Sequence, residues 1–309
     1  MLSSYHLLLT ISPSNIPIIF LMLIQRIDIF CDYVLHKPLE RVLHILDNIE
    51  DYYSEFERVK KDKFGNKKLN KPQYEHLGKY WTRIINPPRG DLKGIHKSIN
   101  KYLVEKIRMP GYAFGGIKGK DNIRNARYHK GQKYIFQTDL KDFFPRITNK
   151  MVYKMFVGLG FSHDVSAMLT KLTTYKGHLP QGAPTSTTIA NLVFVPTGMA
   201  LQAIAEREGL RFTTFVDDVT MSSQTDFKNV VPEIIKTITS DGYKISQGKT
   251  TYKSGITEIT GVKMLNNSMT VTDKFKATYV NEKDLTSPRA KGLLNYKKRI
   301  KAVSRAKKK

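Results

Sequence analysis

The sequence is short of cysteine, of acid and of long apolar runs. Its single cysteine, Cys31, excludes an internal disulfide framework, so nothing stabilising depends on an oxidising compartment, and a cytoplasmic location fits best. Asp and Glu number 27 against 51 Lys and Arg, a formal net charge of +24. Such a deficit of acid favours a polyanionic partner, nucleic acid first and an anionic membrane surface second. No apolar run is long enough to cross a bilayer: in "SYHLLLTISPSNIPIIFLMLIQRIDIF", Ser12 to Asn15 interrupts, and the remainder, Ile16 to Ile24, is too short for a spanning helix. The same stretch has no basic start and no small-residue cleavage site, which argues against a signal peptide. Met22 offers another reading, in which residues 1–21 are an upstream extension and the functional chain begins at "MLIQRIDIF". No internal repeat is visible, and 309 residues suit one large domain or two to three subdomains sharing a cleft.

What is present is organised by hydrophobic period. Val34, Leu35, Leu39, Val42, Leu43 and Leu46 recur at roughly helical spacing and predict an N-terminal helical segment. A lysine-rich stretch follows, in which Gly65-Asn66 either joins two strands or marks a loop. After "INPPRGD", the residues Leu92, Ile95, Ile99, Leu103 and Ile107 suit an amphipathic helix. The character then changes. "KYIFQTDLKDFFPRIT" alternates, with Ile135, Gln137 and Asp139 on one face and Phe136, Thr138 and Leu140 on the other, so a strand ends near Asp139. The segment from Ser166 to Glu208 reads as helix, Gly/Pro loop and helix, the last kinked or divided at Pro196. "FTTFVDDVTMSS" then predicts a hairpin whose two-residue turn is Asp217-Asp218.

An Asp-Asp pair in a turn is most often solvated and without chemistry. Asp139 changes its meaning, because adjacent strands would gather three carboxylates at one sheet edge. Carboxylates so close raise one another's pKa unless a cation intervenes, and hard divalent ions take oxygen ligands while leaving positions for water and phosphate.

Taken together, "FQTDLKDFF", "LPQGAPTSTTIAN", "FVDDVT", "SQGKT" and "ITGVKM" resemble, in order and approximate spacing, the palm motifs of reverse transcriptases, over about Arg83 to Met264. "NARYH" (Asn125 to His129) and "ITG" (Ile259 to Gly261) are similar to elements of the bacterial retron-type reverse transcriptases. The resemblance implies an α/β right-hand polymerase fold with fingers, a palm of antiparallel sheet and helices, and a short thumb. It implies an N-terminal helical segment over 1–55, fingers over 56–132, palm over 133–264, and thumb with basic tail over 265–309.

It also implies roles. Asp139, Asp217 and Asp218 would be the catalytic metal ligands, with two Mg²⁺ ions as cofactor. Arg83, Phe144, Gln181, Gly182 and Lys249 would bind the nucleotide: Arg83 at the triphosphate, Phe144 against the sugar to exclude a 2′-OH, Gln181 and Gly182 beneath the templating pair, Lys249 as proton donor to pyrophosphate. From sequence, Phe143 competes with Phe144 for the gate. Asn125 and His129 would bind RNA or support the fold. Phe215-Val216 stands where most relatives have Tyr-Ala. The implied reaction is RNA-templated DNA synthesis from dNTPs on a structured noncoding RNA, giving a cDNA product used in phage defence, with no membrane and with room for a toxin or effector partner. Two alternatives stay open: another defence-associated or group II intron-like reverse transcriptase, or an inactive RNA-binding scaffold. In the basic C-terminal stretch, Leu293, Leu294, Ile300 and Val303 would form one apolar side of a short helix, leaving the lysines to an RNA backbone.

Overall fold

The computed structural model describes residues 24–60, 67, 69, 78–282, 284 and 286–305. Residues 1–21 and Met22, the Gly65-Asn66 turn and the tail residues 306–309 lie outside the described residues. The chain forms two units, each made of two separated pieces: residues up to Pro110 with Asp142–Pro196, and Gly111–Lys141 with Thr197–Lys309.

The first unit is mainly helical. Helix α1 (Ile27–Phe30) runs into a π-helical stretch, Cys31–Leu35, that ends at His36 with φ of 52°. Pro38 then starts a new helix, α2 (Leu39–Asp47). That restart shifts the helical phase, so Val42, Ile45 and Leu46 are buried while Leu43, which the single periodic pattern points inward, is exposed. Strands β1 (Phe56–Val59) and β2 (Thr82–Ile85) pair antiparallel. Helix α3 (Gly90–Lys106) buries Leu92, Ile95, Ile99 and Leu103, the face its spacing predicts. His96 shares that face without becoming an orphan: its ring nitrogens meet the Tyr53 hydroxyl at 3.0 Å and Thr185 Oγ1 at 2.7 Å. Burial holds its pKa down, to about 3, so it stays neutral.

The second unit carries a four-stranded antiparallel sheet, in the order β4 (Arg211–Phe215), β5 (Asp218–Ser223), β3 (Tyr134–Asp139), β6 (Thr251–Ser254). A three-stranded antiparallel sheet follows, β7 (Thr257–Ile259), β8 (Val262–Met264) and β9 (Met269–Val271). Helix α4 (Asn122–Tyr128) and the C-terminal helix α12 (Pro288–Arg305) close one apolar core with them: Ile123, Ala126, Ile135, Ile259, Val262, Met264, Met269, Val271 and Ile300. The expected helix at the C-terminus is therefore present, with Ile300 buried in that core and Tyr296 and Val303 packed against it, while Leu293 and Leu294 are only partly covered.

The second piece of the first unit carries helices α5 (Phe143–Arg146), α6 (Asn149–Gly158) and α7 (His163–Thr173); the last two are capped by Thr148 and Ser162, whose hydroxyls accept from Met151 N and Val165 N. The break expected at Pro196 falls at Phe194, between α8 (Ser186–Val193) and α9 (Val195–Arg207). Pro196 then occupies the first turn of α9, where no backbone N–H is needed. Helices α10 (Val231–Ser240) and α11 (Asp273–Val280) complete the second unit. Among the described residues no single helix is long and apolar enough to cross a membrane.

Candidate active site

Strand β3 delivers Asp139 at its last position, directly opposite Asp218 of β5. On its other side Asp218 pairs with Phe215, so the two residues of the β4–β5 turn are Val216 and Asp217, not the two aspartates. Asp218 belongs to the ladder instead. The consequence is a β-branched residue, Val216, at φ of 60°, a conformation that costs about 1–3 kcal/mol outside glycine. A tight contact accompanies it. A Cβ on Gly115 would overlap the Val216 backbone N and lie 2.6 Å from its Cγ2, so only glycine can pass there. The Gly115 segment is itself hydrogen-bonded to β4: Phe114 N donates to Thr214 O at 2.8 Å, and Thr214 N to Tyr112 O at 2.9 Å. Lys120 secures the same segment by donating to the carbonyls of Gly111 (2.6 Å) and Ala113 (2.7 Å).

The result is a cluster in which one oxygen from each of Asp139, Asp217 and Asp218 lies within 4.8 Å of the others. The donor set is oxygen throughout and offers carboxylates alone, which fits a divalent cation of the hard class and not a thiolate or imidazole metal. Burial, reinforced by the Asp217 and Asp139 charges, pushes the Asp218 carboxyl up to about 7. Asp139 is oriented at both oxygens. Ser246 Oγ donates to Oδ1 at 2.6 Å and Lys249 Nζ to Oδ2 at 2.6 Å, while Ser246 N donates to the Asp139 carbonyl at 2.8 Å. The Lys249 side chain remains 62% exposed, so its amine is both paired and accessible.

The other expected residues divide between the units. Arg83 is exposed on β2 in the first unit. Close to that strand, Asn86 N donates to Gln181 O at 2.8 Å, and a Cβ on Gly182, whose φ is 100°, would come within 2.8 Å of Ile85 Cγ2. Phe143 is buried with its ring 6.0 Å from that of Phe194, leaving Phe144 the more open of the pair. In the second unit Asn125 and His129 are interior: His129 has no exposed surface and Asn125 is 1% exposed. Asn125 Nδ2 and both ring nitrogens of His129 are hydrogen-bonded within the unit.

Sequence reading gave no role to Ser246 or Gly115, and it marked Val216 as a departure from relatives without anticipating its positive φ. Ser246 precedes the Gln-Gly-Lys run directly, and the Gly115-Gly116 pair after an aromatic residue is a sign of close backbone approach. Val216 carries no such sign, since a β-branched residue is the last expected at positive φ.

Residues 68–276 match the family described as Reverse transcriptase (RNA-dependent DNA polymerase). The chain is similar to the retron Ec86 reverse transcriptase of Escherichia coli, 34% identical over 171 residues, which cover 54% of this chain and 53% of that one. It is 39% identical over 148 residues to the retron Se72 reverse transcriptase of Salmonella heidelberg (strain 579083-10), covering 48% of this chain and 39% of the relative. With the retron Mx65 reverse transcriptase of Myxococcus xanthus the identity is 27% over 252 residues, 74% of this chain and 53% of that one. The chain thus spans about half or less of the length of these relatives. The α/β polymerase fold with antiparallel sheets, the carboxylates at the end of its four-stranded sheet and the retron relatives agree with the resemblance stated from sequence, and the chain belongs to the reverse transcriptase (RNA-dependent DNA polymerase) family.

Proposed function

We propose that this chain is an RNA-directed DNA polymerase whose chemistry occurs at Asp139, Asp217 and Asp218. The observation that carries the reading is the three-carboxylate cluster, with oxygens within 4.8 Å of one another. Carboxylates held that close in a partly buried edge are costly unless cations neutralise them, and we read the site as holding two Mg²⁺. Bound there, the ions would activate the attacking hydroxyl and stabilise charge on the transferred phosphoryl group and the leaving pyrophosphate. Asp139 and Asp217 would be the principal ligands, and Asp218 a further carboxylate at the same edge. Ser246 would keep Asp139 from rotating as the site loads. Lys249 would exchange its bond to Asp139 for one to the triphosphate and hold the proton that the departing pyrophosphate takes.

By the family resemblance, Arg83 would meet the triphosphate through its fixed charge. Phe144 would lie against the sugar and reject a 2′-OH, making dNTPs the substrates, and Gln181 with Gly182 would lie beneath the templating pair. In this reading residues 56–132 act as fingers, 133–264 as palm, and 265–309 as a short thumb with a basic tail. The likeness to retron enzymes supports a structured noncoding RNA as template, priming from an RNA 2′-OH, an RNA-linked cDNA and a cytoplasmic role in phage defence. Any effect of Asn125 and His129 on RNA would act through the fold.

Primer extension with Mg²⁺ on an RNA template tests the core of the reading. Asp139→Asn and Asp217→Asn each remove a metal-facing charge while keeping shape, so extension should fall by about a thousandfold or more, equivalent to roughly 4 kcal/mol of transition-state stabilisation, in proteins that remain folded. Parent-like extension by both variants would remove the carboxylates from the chemistry.

A further inference from the structure

Helix α4 has seven residues, too few to be stable alone. Yet polar groups on it, and on the residue that ends it, reach the β7–β8 turn, α12, β4 and β5 of its unit. Near its start Asn122 Nδ2 donates to Thr260 O at 3.0 Å and to the Tyr296 hydroxyl at 2.7 Å, and Thr260 Oγ1 donates to Asn122 O at 3.1 Å. One turn further, Asn125 Nδ2 donates to Thr260 Oγ1 at 3.3 Å. Asn125 Oδ1 is buried without a hydrogen-bond partner, a burden of roughly 1–3 kcal/mol that an apolar side chain would avoid. The amide is thus kept in spite of its cost, and what it gains is the grip on Thr260.

At the other end, His129 Nδ1 lies 2.6 Å from Ser222 Oγ and Nε2 lies 2.8 Å from Thr213 Oγ1. Thr213 is in β4 and Ser222 in β5, so a single imidazole joins the two strands whose turn carries Asp217. A neutral imidazole offers one donor and one acceptor in one plane, and two hydroxyls satisfy both whichever tautomer is present. Strand alternation puts Asp218, Thr220 and Ser222 on one face of β5, the face shared by Asp139, Gln137 and Ile135 of β3. Ile135 packs in the core with Ile123 and Ala126 of α4. The helix therefore lies on the sheet face whose end bears two of the three carboxylates. A one-residue slip between β4 and β5 would turn Asp218 to the opposite face, and it would also break the pair of bonds that His129 makes.

We propose that α4 is a strut that fixes the register and position of the carboxylate hairpin, with His129 as a positioning residue acting through Thr213 and Ser222, and Asn122 with Asn125 anchoring the strut to the β7–β8 turn. The proposal rests on the reading of Asp139, Asp217 and Asp218 as a divalent-cation site. It joins the two retron-like elements of the sequence, Asn125 to His129 and Ile259 to Gly261, into one device serving the hairpin.

The test uses Ser222→Ala, which removes one hydroxyl and leaves the core volume nearly intact, and His129→Ala. Three quantities are measured on the full chain: amide hydrogen exchange over Phe215–Val219, Mn²⁺ affinity by calorimetry without nucleic acid, and kcat and KM for dNTP on saturating RNA. Both variants should exchange faster in the hairpin and bind Mn²⁺ about tenfold more weakly, the scale seen when a partner of a metal ligand is lost. Their kcat should fall roughly tenfold to a hundredfold at unchanged KM, as for a misplacement of about 1 Å. Parent-like exchange, Mn²⁺ affinity and kcat in a folded variant with a lowered Tm would overturn the strut and leave His129 as core packing. Should His129→Ala not fold, Ser222→Ala decides alone. A parent protein that binds no Mn²⁺ would refute the metal site, whereas unchanged hairpin exchange in Ser222→Ala refutes the strut whatever the metal does.

Discussion

The second unit contains two tight two-residue turns built by opposite rules. At β7–β8, Thr260 and Gly261 have φ of 44° and 79°, the pair of positive values that a two-residue hairpin favours, with glycine at one of them. At β4–β5, Val216 takes φ of 60° with no glycine in the turn, beside an aspartate. The first turn follows local preference. The second overrides it, and the override is sustained from outside by the Gly115 contact. Where chain chemistry and conformation disagree, the conformation is held for what it presents, and here that is a carboxylate.

The contrast can be broken most strongly at the supporting glycine. Gly115→Ala should push the Val216 backbone away and lower primer extension by roughly a hundredfold, the effect of misplacing a catalytic group by about 1 Å. Gly261→Ala in the other turn should cost about 1–2 kcal/mol of stability and leave extension by the folded protein within about twofold. Extension kinetics and thermal melts on both variants check the pair; equal losses of activity would mean the two turns are equivalent.

Relieving the conformational conflict is the gentler version. Val216→Gly should raise stability by about 1 kcal/mol, since glycine accepts positive φ, and should lower kcat several-fold because Asp217 is held less firmly. Chemical denaturation with parallel kinetics reads both. A variant that is more stable and equally active would show that the valine serves no catalytic end.

Protonation separates the turns again, because one sits in a cluster of acid and the other does not. Asp218 is pushed up to about 7 from an ordinary 3.8, so the stability linked to its protonated form is fully present below 3.8 and lost as pH rises through 7. In EDTA, the parent should therefore lose Tm relative to Asp218→Asn across that window, and a divalent cation should cancel the loss. The buried His96 and His129, both held near 3 against an ordinary 6.5, act in the opposite sense: stability falls as pH drops below 6.5. Comparing parent with Asp218→Asn at each pH removes that shared contribution. A Tm difference that is flat from pH 4 to 8 in EDTA would contradict the shift.

The smallest effect concerns the basic helix beyond both turns. Lys297, Lys298 and Lys301 are exposed on α12, whereas Ile300 is fully buried in the core, so deleting the helix would unfold more than it discharges. Replacing the three lysines by Gln should weaken RNA binding modestly and flatten its salt dependence by a slope of roughly 0.7 for each single-strand phosphate that the helix no longer neutralises, with kcat on saturating template unchanged. An unaltered slope would take this face out of the RNA-binding surface.

Much of this was legible in the sequence for a definite reason. Alternation over Tyr134–Asp139 and the apolar spacing of α3 report burial on one face, and burial is what periodicity encodes. The clustering of Asp139 with Asp217 and Asp218 followed from placing them at neighbouring strand ends. What periodicity cannot encode is a contact between segments far apart in the chain. Gly115 beneath Val216, Ser246 on Asp139, and His129 between Thr213 and Ser222 are all of that kind. The turn was misplaced by one residue because Asp-Asp is the better turn former, while ladder pairing of Asp218 with both Phe215 and Asp139 outweighs that preference.

The division of each unit into two pieces also sets a timetable for synthesis. Strand β3 emerges from the ribosome long before β5, its neighbour through Thr138 and Val219, because residues 142–196 of the first unit are made in between. During that interval Ile135 and Phe136 have no sheet to enter. The first unit can mature while the nascent second unit waits with apolar strand surface uncovered, which makes the middle of translation the period of greatest exposure to aggregation and to chaperones.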